Sequence, residues 1–284
     1  MYCRGAIKLD TRNIIVTGCS SGIGDYCVRQ LVLDGWNVFA SARKPEDIDK
    51  LMHDGIEACY LDYSEADSIE TFFAQALKYF DCRIDALYNN GGYCQPGAVE
   101  DLCLDALRRQ FEANFFGWFV LTQKTLVVMR AQGHGRIVCT SSLLGMVPIR
   151  WLGAYNASKH ALEGLMLSLA MELSATNIKV SLIEPGQIVS KVGLNAVLHL
   201  FKHVDIANSN FRGQYKKQLK SLLNISEKGG YSIYPDAVYK ALEHALSARR
   251  PRYQYSVSNL TRIVLLIKRV LPSELLYKLI VKVN

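Results

Sequence analysis

A tyrosine and a lysine stand four residues apart at Tyr155 and Lys159. Residues with this spacing share one face of a helix, so a phenol and an ammonium group would face the same cleft. A nearby cation favours tyrosinate and is expected to lower the tyrosine pKa from its ordinary value of about 10. A phenol tuned in this way can transfer protons near neutral pH. The pair therefore predicts an acid/base site at 155–159.

A second chemical feature lies near the amino terminus, where residues 17–24 read T-G-C-S-S-G-I-G. Gly18, Gly22 and Gly24 allow a backbone to turn sharply and to approach a pyrophosphate closely. A helix that begins after such a turn directs its free amides and its positive dipole end toward an anion. A buried-strand pattern precedes the turn and a helical pattern follows it. This order favours a dinucleotide-binding loop over a plain turn.

The elements that would position these residues alternate along the chain. Buried-strand patterns occupy 13–16, 38–40, 57–61, 84–88, 136–140, 179–183 and 252–257. Helical patterns separate them, including one long helix over 105–132 and another over 155–175. This alternation predicts an α/β fold of the Rossmann type, a doubly wound parallel sheet with helices on both faces. We expect a single domain over 1–257 and a C-terminal helical appendage over 258–284.

Composition excludes several classes of protein. The 284 residues are 50% hydrophobic and 21% charged, which excludes wholesale disorder. The eight cysteines are scattered and the histidines are not clustered, so we expect no metal site and a reduced, cytoplasmic setting. The net charge of +7 resides in 249–284, where eight residues are basic and one is acidic. The main body is thus neutral and is not expected to bind nucleic acid.

No targeting segment or membrane span is expected. Residues 1–10 lack the apolar stretch of a signal peptide. The chain has no apolar run of about 18 residues, so no transmembrane helix is predicted.

Five motifs, in order over 17–190, resemble those of the short-chain dehydrogenase/reductase family. The glycine spacing is similar to that family's T-G-x-x-x-G-x-G, the segment 89–92 (N-N-G-G) to its N-N-A-G, and the segment 185–190 (P-G-Q-I-V-S) to its P-G-x-x-x-T. The resemblance implies four catalytic residues, Asn114, Ser142, Tyr155 and Lys159. Ser142 would hydrogen-bond the substrate oxygen, Lys159 would also bind the ribose, and Asn114 would hold a water of a proton relay through its backbone carbonyl.

The resemblance also implies a branch of the family. The chain is too short for the extra substrate domain of the sugar-nucleotide-modifying branch, so it looks like the single-domain branch. T-G-C-S-S-G-I-G and the long basic C-terminus are similar to the retinol- and 17β-hydroxysteroid-dehydrogenase-like members.

The cofactor predicted by this resemblance is NADP(H) rather than NAD(H). NAD-specific members carry an acid at the end of the second strand, whereas this chain has none before Glu46. Arg43 and Lys44 could bind a 2′-phosphate with a hydrogen bond from Ser41; alternatively they are two solvated charges at the start of a helix. The predicted cofactor-binding residues are Gly18, Ser20, Ser21, Gly22, Ile23, Gly24, Ser41, Arg43, Lys44, Asp62, Tyr63, Asn90, Gly91, Tyr155, Lys159, Pro185, Gly186, Ile188 and Ser190. Asp62 and Tyr63 stand where the family contacts the adenine.

Substrate and partners are predicted from two further regions. In the family, 189–232 forms the substrate lid, and here it is rich in apolar residues. This predicts an apolar aldehyde, ketone or alcohol of retinoid, steroid or lipid type, although a helix packed on the core has the same composition. The segment 262–284 is basic and amphipathic, as is typical of an interfacial helix on anionic lipid. The alternative is an arm packed across the domain or against a dimer partner.

The predicted function is an NADP(H)-dependent oxidoreductase acting on CH–OH and C=O groups, with Tyr155 as acid/base. The aromatic residues of the long helix either form the homodimer or homotetramer contacts usual in the family or belong to the core. One rival is a non-catalytic NADPH-binding regulator or membrane-docked scaffold, which would need no intact Asn–Ser–Tyr–Lys set. Another is a dehydratase or epimerase, disfavoured by the missing substrate domain.

Overall fold

A parallel sheet forms the centre of the computed structural model, which describes residues 11–226 and 233–283. Within these ranges the strand order is β3-β2-β1-β4-β5-β6-β7. The strands are β1 (Asn13–Val16), β2 (Asn37–Ala42), β3 (Glu57–Tyr60), β4 (Ala86–Asn89), β5 (Gly135–Thr140), β6 (Ile178–Glu184) and β7 (Gln254–Ser256). All neighbouring strands pair in parallel, so the predicted Rossmann-type fold is confirmed.

Helices cover both faces of the sheet. They are α1 (Gly22–Leu33), α2 (Pro45–His53), α3 (Ala66–Tyr79), α4 (Leu104–Phe111), α5 (Gly117–Gln132), α6 (Gly153–Glu172), α7 (Val192–His203), α8 (Arg212–Ser226), α9 (Pro235–Ser247), α10 (Asn259–Val270) and α11 (Ser273–Val283). Ile14 and Val16 of β1 pack in the core with α1, α2 and α9, whereas Ile15 packs in the core with α3, α5 and α6. Burial on both faces explains why the strands are near-continuous apolar runs.

The long helix predicted over 105–132 is interrupted. Helices α4 and α5 are joined by a π-helical segment, Glu112–Phe116, with Asn114 at its centre. A π-helical turn accommodates an extra residue and occurs frequently at functional sites. The residues on both sides of this turn share one continuous helical pattern in the sequence, so the pattern alone did not reveal it.

The lid region packs as a small layer of its own. Ala196 and Leu200 of α7 are buried against Tyr215 and Leu222 of α8. The last part of the predicted lid, 227–232, lies outside the described residues. The outer face of α7 exposes apolar side chains, among them Leu198 at 67% and Phe201 at 61%.

The C-terminal helices lie against the domain yet expose much apolar surface. Lys268 Nζ donates a hydrogen bond to the Met146 carbonyl (2.5 Å), and Arg150 Nη2 donates one to the Val281 carbonyl (3.1 Å). Ile263, Leu266, Val270, Leu275, Leu279 and Val281 are nevertheless exposed. The segment thus shows features of both predicted alternatives: it packs on the domain as an arm, and it exposes the apolar surface of an interfacial helix. None of the helices in 11–226 and 233–283 is long and apolar enough to span a bilayer.

Candidate active site

Hydrogen bonds to two neighbouring strands hold the glycine loop that follows β1. Thr17 Oγ1 accepts hydrogen bonds from the amides of Asn90 (2.9 Å) and Gly91 (3.2 Å), at the end of β4. The Gly18 amide donates to Ser41 Oγ (3.2 Å), at the end of β2. The loop is therefore fixed at the carboxyl edge of the sheet, where doubly wound folds bind ligands.

The loop requires glycine at two positions. Gly18 has φ +70°, and a Cβ there would collide with the Gly91 backbone. A Cβ on Gly24 would collide with the Gly18 carbonyl. The turn is thus too tight for side chains, as a loop that approaches a pyrophosphate must be.

The beginning of α1 fits an anionic ligand. Its N-cap residue, Ser21, makes no side-chain cap hydrogen bond, and Ser20 beside it is exposed. The first amides of a helix lack partners within the helix and attract phosphate. Ser190 lies close by, since a Cβ on Gly22 would be 3.1 Å from Ser190 Cβ. The structure therefore brings the predicted segments 17–24 and 185–190 together.

The segment 185–190 also reaches the catalytic loop. The Pro185 carbonyl accepts a hydrogen bond from the Leu143 amide (2.9 Å), directly after Ser142. Ser190 Oγ donates to the Ile188 carbonyl (3.3 Å), and Ile188 itself is buried. Ile188 thus belongs to the core that supports this segment.

Two residues predicted to contact the cofactor, Ser41 and Tyr63, are buried in the structure. Ser41 is 2% exposed with its hydroxyl on the Gly18 amide, so it fixes the glycine loop and does not present a donor at the surface. Tyr63 is 8% exposed and donates to Asn89 Oδ1 (3.1 Å), which makes it a core residue. The burial of both side chains is not reported by the sequence pattern, and their contact with a cofactor stays a prediction.

The charged residues at the end of β2 are at the surface. The Arg43 side chain is 62% exposed and its Nη1 lies 3.7 Å from Asp62 Oδ2. Lys44 is the exposed N-cap residue of α2. Exposure at the start of α2 fits both predicted alternatives, a 2′-phosphate site and two solvated charges.

The tyrosine and lysine lie on α6, one turn apart. Lys159 is 4% exposed, and its Nζ donates a hydrogen bond to the Thr140 carbonyl at the end of β5 (2.7 Å). Nζ also lies 4.4 Å from the centre of the Trp118 ring and 5.8 Å from the centre of the Tyr155 ring. Ser142 follows β5, and its Oγ accepts a bond from the Leu144 amide (3.1 Å). The hydroxyl proton of Ser142 remains available for another acceptor.

The expected lowering of the Tyr155 pKa is wrong for this arrangement. Burial raises the pKa of Tyr155 above its ordinary value, the Cys94 thiol raises it further, and the Ser142 hydroxyl lowers it in part. Burial also lowers the pKa of Lys159 to about 8. Desolvation disfavours the charged form of both groups, and the ammonium is bonded to a backbone carbonyl rather than to the phenol.

The Asn114 side chain holds the loop that follows β4. Asn114 is fully buried; its Oδ1 accepts from the Tyr93 amide (3.1 Å) and its Nδ2 donates to the Tyr93 carbonyl (2.9 Å). The π-helical turn places it there. Its side chain is thus committed to the loop, which agrees with a predicted relay role that used only its backbone carbonyl.

Sequence reasoning missed two contacts of this site. Trp118, considered for a subunit contact or the core, is fully buried; it donates from Nε1 to the Gly91 carbonyl (2.7 Å) and lies beside Lys159. Tyr93 stacks on His199 of the lid helix α7, with ring centres 4.1 Å apart. Burial raises the pKa of Tyr93 to about 12 and lowers that of His199 to about 4. Tyr93 directly follows the N-N-G-G segment, whereas nothing in the sequence around His199 indicates its role.

No metal centre is found in the described part of the chain, where no three His, Cys, Asp or Glu residues converge as ligands.

Known proteins are similar to this chain in sequence and in fold. A family model described as short chain dehydrogenase matches residues 12–197. The uncharacterized oxidoreductase YbbO of Escherichia coli (strain K12) is 32% identical over 273 residues, which cover 96% of this chain and 95% of that protein. Retinol dehydrogenase 8 of Homo sapiens is 35% identical over 190 residues, 63% of this chain and 60% of that protein.

Solved structures agree with the fold. A short-chain dehydrogenase/reductase from Burkholderia phymatum in complex with NAD is similar with a TM-score of 0.77 at 19% identity, covering 93% of this chain and 96% of that one. Other similar structures hold NADPH or 5-hydroxy-NADP.

Proposed function

Because the chain belongs to the short-chain dehydrogenase/reductase family, we propose that it is an NADP(H)-dependent oxidoreductase that interconverts an apolar carbonyl compound and its alcohol. One observation carries the proposal: Ser142, Tyr155 and Lys159 meet at the end of β5, beside a glycine loop that fits a dinucleotide. An acid/base residue next to a nucleotide site is what hydride transfer to a carbonyl requires.

The residues present divide the work between binding and proton transfer. The glycine loop, the free amides of α1 and Ser190 would hold the dinucleotide. When bound, this cofactor supplies or accepts the hydride. The Ser142 hydroxyl would hold the substrate oxygen by a hydrogen bond, and the Tyr155 hydroxyl would give a proton to that oxygen in reduction. Lys159 would place its positive charge near the phenol and bind the ribose.

The raised pKa of Tyr155 supports reduction as the favoured direction at neutral pH. A phenol whose pKa lies above its ordinary value stays protonated, so it can donate a proton to a carbonyl oxygen. Oxidation of an alcohol needs the phenolate and is expected to become faster as the pH rises.

The preference for NADP(H) is supported by Arg43 and Lys44, which are exposed at the end of β2. A guanidinium can bind a 2′-phosphate bidentately. Arg43→Ala is expected to reduce the ratio of kcat/KM for NADPH over NADH by about tenfold, the equivalent of one charge-assisted hydrogen bond. Lys50→Ala, the loss of an exposed cation on α2, serves as the control. An unchanged ratio in Arg43→Ala would assign the two cations to the solvated surface.

Substrate class and partners follow from exposed apolar surfaces. The apolar lid and the similarity to a retinol dehydrogenase support a retinoid-, steroid- or lipid-like substrate. Exposed Phe116 and Val127 on the α4–α5 side support a homodimer or homotetramer. The basic, amphipathic segment 262–284 supports a cytoplasmic protein that contacts a membrane surface.

The decisive test is turnover by the purified protein. NADPH and NADH oxidation are measured with a panel of retinoid, steroid and small aldehyde or ketone substrates. Tyr155→Phe is expected to abolish turnover while the Kd for NADPH is preserved, because the phenol oxygen is the only atom lost. Tyr79→Phe, at an exposed tyrosine on α3, should retain full activity. Equal turnover by Tyr155→Phe and the unaltered protein would overturn the mechanism.

A further inference from the structure

A cluster of buried polar side chains lies behind the catalytic lysine, at the carboxyl ends of β5, β6 and β7. We call it the carboxyl cluster; it comprises Ser141, Glu163, Glu184, Gln254 and Ser256. Glu163 is 4% exposed and Glu184 is 1% exposed. Acidic side chains are almost never buried to this degree without an ionic partner. No basic group of the described chain lies within 4.0 Å of either carboxylate.

Each carboxylate has one bonded and one unbonded oxygen. Gln254 Nε2 donates to Glu163 Oε2 (3.0 Å), and Ser256 Oγ donates to Glu184 Oε2 (2.9 Å). Glu163 Oε1, Glu184 Oε1 and the neighbouring Ser141 Oγ are buried without a well-formed hydrogen bond, although the Ser141 hydroxyl lies near enough to Glu163 to favour its charged form. Such groups are costly in a fold, so a role beyond stability is indicated.

The backbone closes this cluster from solvent. A Cβ on Gly145, in the turn that follows Ser142, would lie 2.8 Å from Ser141 Oγ and 3.0 Å from Glu163 Cγ. The turn therefore packs directly on the cluster. Exclusion of water strengthens the electrostatic interaction between charged groups in and around the cluster.

Glu163 is one helical turn after Lys159, on the same buried face of α6. Three groups favour the charged form of Lys159: the thiols Cys139 and Cys94, and Glu163. Burial raises the pKa of both thiols to about 12, so neither is charged near neutral pH. Glu163 is therefore the group that can provide the negative charge.

The charge of Glu163 opposes the ionisation of Glu184, and because such coupling is mutual, Glu184 opposes that of Glu163. Burial, followed by the charge of Glu163, raises the pKa of Glu184 to about 7, while Ser256, Arg269 and Gln254 lower it. The pKa of Glu163 is raised by burial and lowered by Ser141, Gln254, Lys159 and His160. The hydrogen bonds of Ser141 and Gln254 and the charge of Lys159 thus favour the charged form of Glu163 against its burial.

We propose that Glu163 is a positioning residue, whose carboxylate is the buried counter-charge that keeps the Lys159 ammonium charged, and that Glu184 adjusts how readily Glu163 ionises. The consequence for the reaction rests on the proposed function, since a charged Lys159 matters there through Tyr155. The charge relation between Glu163 and Lys159 is a property of the fold and can be measured without turnover.

The first experiment reads Lys159 directly in the full-length protein. Lysine labelled with ¹³C at Cε is titrated by NMR, and the Lys159 signal is assigned by its loss in Lys159→Met. Glu163→Gln keeps the size and the hydrogen bond from Gln254, and should lower the titration midpoint of Lys159 by about one pH unit, a tenfold change in the ionisation constant. Glu163→Asp retains the charge and should restore most of the shift. Glu184→Gln should not lower the midpoint.

The control is Glu172→Gln, at an exposed glutamate on the same helix. An unchanged midpoint in Glu163→Gln, or an equal shift in Glu172→Gln, would overturn the proposal. A structural defect alone would reduce stability without moving this midpoint.

The second experiment measures the pH profile of kcat/KM with any substrate that the panel identifies. The alkaline limb should move to lower pH in Glu163→Gln, because Lys159 then loses its proton earlier. A shifted NMR midpoint with no turnover on the panel would support the role of Glu163 and contradict the proposed activity. Turnover together with an unmoved NMR midpoint would support the proposed activity and contradict the role of Glu163.

Discussion

The hydroxyl of Thr17 uses its full hydrogen-bonding capacity. It donates to the Tyr88 carbonyl (3.3 Å) and accepts from the amides of Asn90 and Gly91. One hydroxyl has one donor and two acceptor lone pairs. A single side chain therefore joins β1, β4 and the glycine loop.

Thr17→Val should separate this role from simple packing. Valine has nearly the same shape but leaves the Asn90 and Gly91 amides without an acceptor, which costs about 2 kcal/mol of unfolding free energy. The loop should loosen and the Kd for NADPH should rise. Urea unfolding and a fluorescence titration with NADPH measure the two effects. Thr17→Ser keeps the oxygen and is expected to resemble the unaltered protein; if it loses as much as the valine variant, the hydroxyl is not responsible.

Residue types and spacing predicted which residues form the site better than they predicted the pKa values of those residues. Tyr155, Lys159 and Ser142 were found from sequence order and family resemblance, and the structure brings them together with the glycine loop. The pKa of Tyr155 was predicted with the wrong sign because its largest cause is burial, with Cys94 adding to it, and both depend on residues that lie far away in the chain. The hydrogen bond from the Gly18 amide to Ser41 was likewise absent from the sequence prediction, because it depends on how two distant segments meet.

Among the elements, the π-helical segment 112–116 shows what a periodic pattern does not contain. The strands were predicted to within a few residues at each end, because apolar runs between turns are strong signals. The π-helical turn is stabilised by a tertiary contact, the two hydrogen bonds of Asn114 to the backbone of Tyr93. No pattern within the helix records that contact, so one long helix was the natural expectation.

The end of β6 gives a prediction about pH and stability. Burial raises the pKa of Glu184 from 4.5 in the unfolded chain to about 7 in the fold. The folded state thus holds this proton more tightly, and the stability that it contributes is present below the unfolded pKa and is lost as the pH rises through the folded pKa. Glu184→Gln removes this dependence. Relative to the unaltered protein, its unfolding free energy should gain up to about 3 kcal/mol between pH 5 and pH 8.

Urea unfolding across this pH range measures the difference. Glu172→Gln, an exposed change of the same kind, should show a difference that does not vary with pH. A parallel pair of stability curves for Glu184→Gln and the unaltered protein would contradict the raised pKa.

At the scale of the whole molecule, charge is separated along the chain. The net charge of +7 belongs to 249–284, and the remaining residues balance to zero. Helices α10 and α11 hold five of the eight basic residues of this segment, together with exposed apolar side chains such as Ile263, Leu266 and Val270. Such a segment is attracted to an anionic lipid surface by charge and is retained there by apolar contact.

Vesicle co-sedimentation tests this expectation. The protein should bind vesicles that contain phosphatidylserine more strongly than vesicles of phosphatidylcholine alone. Lys278→Gln with Lys282→Gln removes two exposed charges from α11 and should weaken binding by roughly thirtyfold, at about 1 kcal/mol for each charge. Lys216→Gln with Lys217→Gln, on α8, removes the same charge elsewhere. Equal loss in the two double variants would indicate attraction by net charge without a docking segment.

The central position of β1 has a consequence for how the protein is made. β1 pairs with β2, which follows soon after it, and with β4, which is synthesised much later. The amide that bonds Thr17 belongs to a residue 73 positions further along the chain. Contacts between such distant residues form slowly during folding. A nascent chain that has emerged only as far as β3 therefore carries the whole glycine signature and none of its support from β4, so the ability to hold a nucleotide arises late in translation.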